Sequence, residues 1–142
     1  MIGEEFIEIL YNTSYGGWGI SDKAIELYKL RNVNDNSMAL EYECHELLSR
    51  TDPILIQIYN ELGDEMNTKC CKIRIKKIPK KYENYYYISE YDGKESIAID
   101  FTNYKLDMVY NKITEILQST NNNEIKIIKI EEFMSTLKCK DV

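Results

Sequence analysis

Two carboxylates, Glu90 and Glu95, bracket the dipeptide Asp92-Gly93 in the stretch EYDGKE. Runs of alternating character flank it, Tyr85 to Tyr91 before and Lys94 to Asp100 after. Asp-Gly between such runs is a strong hairpin signal, because a type I′ turn needs positive φ at both central positions. A two-residue turn there sets Tyr91 opposite Lys94, Glu90 opposite Glu95, Ile88 opposite Ile97 and Tyr86 opposite Ile99. The two acids then sit side by side on the isoleucine face. Like charges directly opposite destabilise a hairpin. A pair so placed could share a proton or bind a cation, which is the chemistry of a metal-dependent hydrolase. The plainer expectation is a hairpin tip whose acids reach water or meet a lysine.

A second set of residues suits nucleic acid. Between Lys69 and Lys81 stand seven Lys or Arg and no acid. Lys72, Arg74 and Lys76 alternate with Cys71, Ile73 and Ile75, so one strand would carry a basic and an apolar face. Tyr85 and Tyr87 follow shortly. If that strand neighboured the first hairpin strand, cations and rings would share an open sheet face, as in single-strand binders. A solvated face whose lysines guard a sheet edge is the competing expectation.

The third set is NTSYGGWGIS, residues 12 to 21. Strand, glycines and helix are the layout of a phosphate cradle. The segment lacks the third glycine of a dinucleotide fingerprint and the Lys-Ser/Thr of a nucleotide loop. Asp22, at the helix start, would repel phosphate. Gly16, Gly17, Trp18, Gly19 and Ser21 therefore read as a structural corner needing positive φ, with Tyr15 and Trp18 held in the core. His45 is the only histidine and lies beside Cys44. Cys44, Cys70, Cys71 and Cys139 fit neither a zinc nor a disulfide spacing. No metal, cofactor or catalytic set is expected.

The elements that must position these groups follow from periodicity. Glu4 to Tyr11 suits a strand. Ser21 is a good N-cap, and a helix runs from there to about Leu30. Residues 38 to 49 allow either a short helix or an irregular insert. Asp52 can cap a second helix with Pro53 at its first position. Leu55, Ile58, Tyr59, Leu62 and Met66 recur there at helical spacing, with Gly63 near its end. After the hairpin, Leu106, Val109, Tyr110, Ile113 and Leu117 predict a helix. Ile125 to Ile130 then reads as a last strand, and Glu131 to Leu137 as a short closing helix. The order predicts one α+β domain with a mostly antiparallel sheet, a β-hairpin and helices on one side.

Several of these segments together resemble an uncharacterised protein family of large DNA viruses and phages. The shared motifs are NTSYGGWGIS, Arg50-Thr51-Asp52-Pro53, Leu62-Gly63, Ile78-Pro79 and EYDGKE at 90 to 95. The resemblance covers roughly 11 to 31 and 50 to 99, so the family-like core ends near residue 100 and 101 to 142 is a variable extension. It implies a viral protein, placed in the host cytoplasm. It brings no activity and no catalytic residue.

Composition narrows the classes further. The chain has 142 residues, a 44% hydrophobic fraction and a net charge of −6, which fit a folded domain and disfavour a nucleic-acid coat. No apolar run approaches the ~20 residues of a membrane span. The N-terminus has early acids and no basic region, so no signal peptide is expected. The Asn12-Thr13-Ser14 glycosylation match then has no use. The functional expectation is a small soluble, non-enzymatic interaction or regulatory module with a protein partner and no membrane. Single-stranded nucleic-acid binding and a carboxylate-centred hydrolase are the alternatives.

Overall fold

The structure is a computed structural model and describes residues 3–32 and 48–138. Cys44, His45, Cys139 and most of the 38 to 49 stretch lie outside those residues. Chain contacts group the protein into two compact units, Met1–Ile99 and Asp100–Val142. The division falls where the sequence places the start of the C-terminal extension.

The first unit is built on strand β1 (Phe6–Asn12) and strand β2 (Ile73–Pro79), antiparallel from Phe6 opposite Pro79 to Asn12 opposite Ile73. Alternation puts Leu10, Asn12, Ile73 and Ile75 on one face. Helices α1 (Asp22–Arg31) and α2 (Pro53–Leu62) cover that face with Ala24, Tyr28, Leu55 and Ile58. These side chains form the core with Ile20, Met66 and Cys71. Ile9 and Ile78, on the opposite face, are buried as well.

The expected caps are in place. The Ser21 hydroxyl accepts from the Ala24 N–H, and the Asp52 carboxylate accepts from the Ile54 N–H at 2.8 Å. Asp52 also accepts the buried Tyr28 hydroxyl at 2.6 Å, so one carboxylate caps α2 and ties it to α1. Gly63 ends α2 at φ 55°, a conformation that favours glycine. A 3-10 turn over Gly63–Met66 then delivers Met66 to the core.

Strands β3 (Tyr86–Tyr91) and β4 (Lys94–Ile99) form the hairpin in the expected register. Asp92 and Gly93 have φ of 50° and 82°, as a type I′ turn requires. Ile88 and Ile97 are cross-strand partners and half-buried.

The chain is α+β, with every strand pair antiparallel. One expectation about the sheet fails. β2 pairs with β1, not with β3, and the strands form two separate two-stranded sheets. A 3-10 turn over Lys80–Tyr82 redirects the chain after Pro79, and among the described residues β3 pairs with β4 alone.

The second unit consists of helices α3 (Phe101–Gln118) and α4 (Asn123–Lys138). Asp100 caps α3 through the Asn103 N–H at 2.9 Å. The strand expected over Ile125 to Ile130 is helix. The Asn122 side chain accepts from the Ile125 N–H at 3.0 Å, a capping bond that starts α4. Lys126, Ile130, Phe133 and Leu137 then recur at helical spacing as the less exposed side of α4. Capping and that longer period override the strand preference of the isoleucines.

Candidate functional site

Asn12 closes β1 with a side chain that is fully buried. Its Nδ2 donates to the carbonyls of Ser14, Gly17 and Gly93 at 2.9, 3.0 and 2.8 Å. Its Oδ1 accepts from the N–H groups of Ser14 and Lys72, each at 3.0 Å, and from the Ser14 hydroxyl. One amide thus joins the glycine corner, the residue before β2 and the hairpin turn. The same residue opens the glycosylation match, and its burial leaves no route for a glycan.

The Asn12 backbone N–H points away from β2 and donates to Glu95 Oε2 at 2.8 Å. Glu95, on β4, is buried and receives both arms of the Arg50 guanidinium, at 2.7 and 2.8 Å. That geometry is the strong bidentate kind. The guanidinium lies over the Trp18 ring, 3.5 Å from its centroid, so the cation is held between a carboxylate and an aromatic face. The Arg50 carbonyl accepts the Leu10 N–H at 2.8 Å, which fixes the Arg50 backbone along the free edge of β1. Beside this group the buried Cys71 thiol is pushed above its ordinary range by burial. A backbone hydrogen bond with Gly19 and the Arg50 charge pull it down, and the Glu95 charge pushes it up.

The hairpin tip rests on the glycine corner. A Cβ on Gly93 would lie 2.3 Å from the Gly17 nitrogen, and one on Gly16 would lie 2.2 Å from the Cys70 carbonyl oxygen. Gly17 itself has φ 79°. The corner therefore needs glycine at Gly16 for closeness and at Gly17 for conformation. Ser21 serves as the cap and also donates to the Glu65 carbonyl at 2.7 Å. Of the two rings expected in the core, Trp18 packs against it while Tyr15 is 64% exposed. Tyr15 lies instead under the Lys94 ammonium, 5.2 Å from ring centroid to nitrogen.

Glu90 and Glu95 are direct cross-strand partners, as the turn implies. Their environments divide them. Glu95 is neutralised by Arg50, while exposed Glu90 accepts the Gly93 N–H at 2.5 Å. The repulsion expected of the pair is relieved by a cation that the local sequence does not contain. Among the described residues, no group of three or more His, Cys, Asp or Glu is placed to hold a metal.

Lys72, Arg74 and Lys76 are exposed, but Tyr85 and Tyr87 do not stand beside them in a sheet. Arg74 is drawn to Asp64 at 3.0 Å and to the Ile73 carbonyl at 2.7 Å. Tyr85 precedes β3, and its N–H donates to the Tyr82 carbonyl. The basic strand and the tyrosines thus belong to separate sheets.

The outward face of the hairpin carries a different set. Tyr87, Ser89 and Tyr91 alternate along β3, opposite Ala98, Ser96 and Lys94 of β4. Tyr91 is 80% exposed and Tyr87 55%. Tyr15, Ser89, Tyr91, Lys94, Glu95 and Ser96 line a shallow cleft here. Rings, small hydroxyls and one cation are placed together over the rigid group formed by Asn12, Arg50 and Glu95. Asn12 and Arg50 were not singled out as site residues from the sequence. Nothing near either residue in the sequence signals the other.

Comparison of the chain with protein-family profiles, with curated proteins and with solved structures gives no match.

Proposed function

We propose that the protein is a non-enzymatic interaction module that binds a protein partner through the outward face of its β-hairpin. The observation that carries this is the tyrosine- and serine-rich surface around Tyr15, Tyr87, Tyr91 and Lys94. Tyrosine offers large amphipathic contact area with few rotatable bonds, and serine offers adaptable hydrogen bonding. The backbone beneath is held by the Asn12 and Arg50–Glu95 bonds, so little order has to be imposed on binding.

The polar groups beneath this face support the same reading. The oxygens of Glu95 and both terminal nitrogens of Arg50 are spent on each other and on the Asn12 N–H. A general acid or base needs a proton within reach of substrate, and the atoms of this pair are already bonded to each other.

The test uses a photo-reactive aromatic residue in place of Tyr91. A protein adduct that forms in the presence of partner, and that wild-type protein but not the Y87A/Y15A variant competes away, supports the face as a binding surface. Competition by both proteins alike would refute it. In parallel, a single-stranded oligonucleotide is titrated at low salt. Binding with a log–log salt slope of about −2, from roughly three phosphate contacts, would replace the protein partner with nucleic acid.

A further inference from the structure

Helices α3 and α4 bury very little. Among their described residues only Ile116 is buried, while Leu106, Tyr110, Leu117, Ile127 and Met134 are exposed by 41% to 70%. Two helices without a covered apolar face do not make a stable core. Phe101, Met108, Ile125 and Ile128, exposed by 40% to 52%, lie elsewhere round the two helices, and the placement of the other five says where a shared cover goes. On α3 the less exposed Val109, Ile113 and Ile116 mark the side towards α4, and on α4 Ile130, Phe133 and Leu137 mark the side towards α3. At 100° per residue, Leu106, Tyr110 and Leu117 lie about 80° round α3 from that contact, and Ile127 and Met134 lie a similar angle round α4 in the same rotational sense. In an antiparallel helix pair, equal offsets in the same sense fall on the same side. The five side chains therefore form one two-helix apolar face, the half of a four-helix bundle.

We propose that a second copy of this chain covers this face, by an antiparallel two-fold pairing of α3 with α3 and α4 with α4. Surface area and charge both argue for it. The five side chains present about 500 Å² of apolar surface per copy, taking roughly 100 Å² for each, and half-buried Ile113 and Ile130 add to it. With its polar rim, that reaches the ~800 Å² per partner of a stable interface. Along the rim of α4 the same helical spacing places Glu124 at one end, Glu131 in the middle and Lys138 at the other end. Antiparallel self-pairing sets Glu124 against Lys138 of the copy twice, and Glu131 against itself once. On α3 it sets Asn103 against Gln118, and Asp107 against Thr114. The balance of charge is favourable, and every contact is self-complementary, as a two-fold interface requires. This surface belongs to α3 and α4 and does not depend on the hairpin-face reading.

Sedimentation equilibrium of the full chain tests it. The expected mass is twice the 16.8 kDa of one chain at tens of micromolar. L106E should weaken the dimer by about tenfold or more, with the helical circular dichroism band and Trp18 emission kept as a check of folding. E124K should weaken it several-fold by opposing Lys138, and E124K/K138E should restore it. The double variant separates cross-copy pairing from a helix-end effect, because two reversed charges are worse than one for the dipole of an isolated α4. A chain that stays monomeric up to about 500 µM would overturn the proposal. So would a dimer indifferent to L106E, or a double variant weaker than E124K. A monomer would assign the face to a different protein.

Discussion

Replacing Arg50 with alanine removes the cation paired with the buried Glu95 carboxylate. The Glu95 side chain is 7% exposed and that of Arg50 16%, so the carboxylate has less water to fall back on than the guanidinium. Without the guanidinium, Glu95 keeps the Asn12 N–H at 2.8 Å. A buried ion left without its partner costs about 3–5 kcal/mol. A domain of this size is stable by about 5–15 kcal/mol, so the loss is a large share. Glu95→Gln should cost less, about 1–3 kcal/mol. The amide oxygen can still accept from Asn12, and the guanidinium keeps the Trp18 face and its partial access to water. The assay is urea unfolding at neutral pH, followed by emission of the single tryptophan and by circular dichroism in parallel, because Arg50 sits on the reporting ring. The ordering is the sharper outcome, with Arg50→Ala well below Glu95→Gln. An Arg50→Ala variant within about 1 kcal/mol of wild type would mean that the pair behaves as a surface salt bridge, and the buried-cluster reasoning would fail.

The glycine corner yields a ranking. Gly16→Ala and Gly93→Ala bring a methyl onto backbone atoms and should cost several kcal/mol, whereas Gly17→Ala meets open space and pays only for φ 79°, about 1 kcal/mol; thermal melts that reverse this order would refute the docked tip. Asn12→Ala strips partners from three carbonyls and two N–H groups and should cost more than about 3 kcal/mol, measured by the same urea titration. Cys70 is exposed and Cys71 buried, so a thiol reagent should label Cys70 in the native protein and Cys71 only on unfolding. Burial raises the folded-state pKa of Cys71 above its ordinary 9.0, so the unfolded chain releases that proton first. The Cys71 contribution to stability is then complete below pH 9.0 and declines as pH rises toward the folded-state value. A Cys71→Ala variant should lack that part of the alkaline decline. Asn122→Ala removes the cap of α4 and should lower helicity with a loss of about 1 kcal/mol.

What the sequence made legible was local. The Asp92-Gly93 turn fixes the pairing of twelve residues, because a two-residue loop leaves no freedom of register. Ser21, Asp52 and Pro53 mark helix starts because each supplies or spares a hydrogen bond within three residues. The partner of Glu95 was not legible, since Arg50 lies 45 residues away and nothing near Glu95 calls for it. The role of Asn12 was hidden likewise, behind a glycosylation match and a turn-forming sequence. The separation of β2 from β3 is not legible because no residue pattern between them marks the Lys80–Tyr82 turn that redirects the chain. Over Ile125 to Ile130 the β-branched residues fit a strand locally, and the cap and the pattern out to Leu137 decided otherwise.

The bond from Asn12 to Glu95 spans 83 residues, and the bond from its side chain to Gly93 spans 81. Contacts so distant in sequence slow folding, because a long loop must close before they return any stabilisation. They also set an order on a chain growing from its N-terminus. Until residue 95 has been made, the end of β1 holds an amide and an N–H whose partners do not yet exist, and Arg50 has no carboxylate to meet. A fragment ending before the hairpin would therefore keep these groups unsatisfied, and native structure in this unit should appear late and abruptly, once β4 is added. Released fragments ending at 85 and at 105 should differ sharply in protease resistance if Glu95 is the residue that completes the fold.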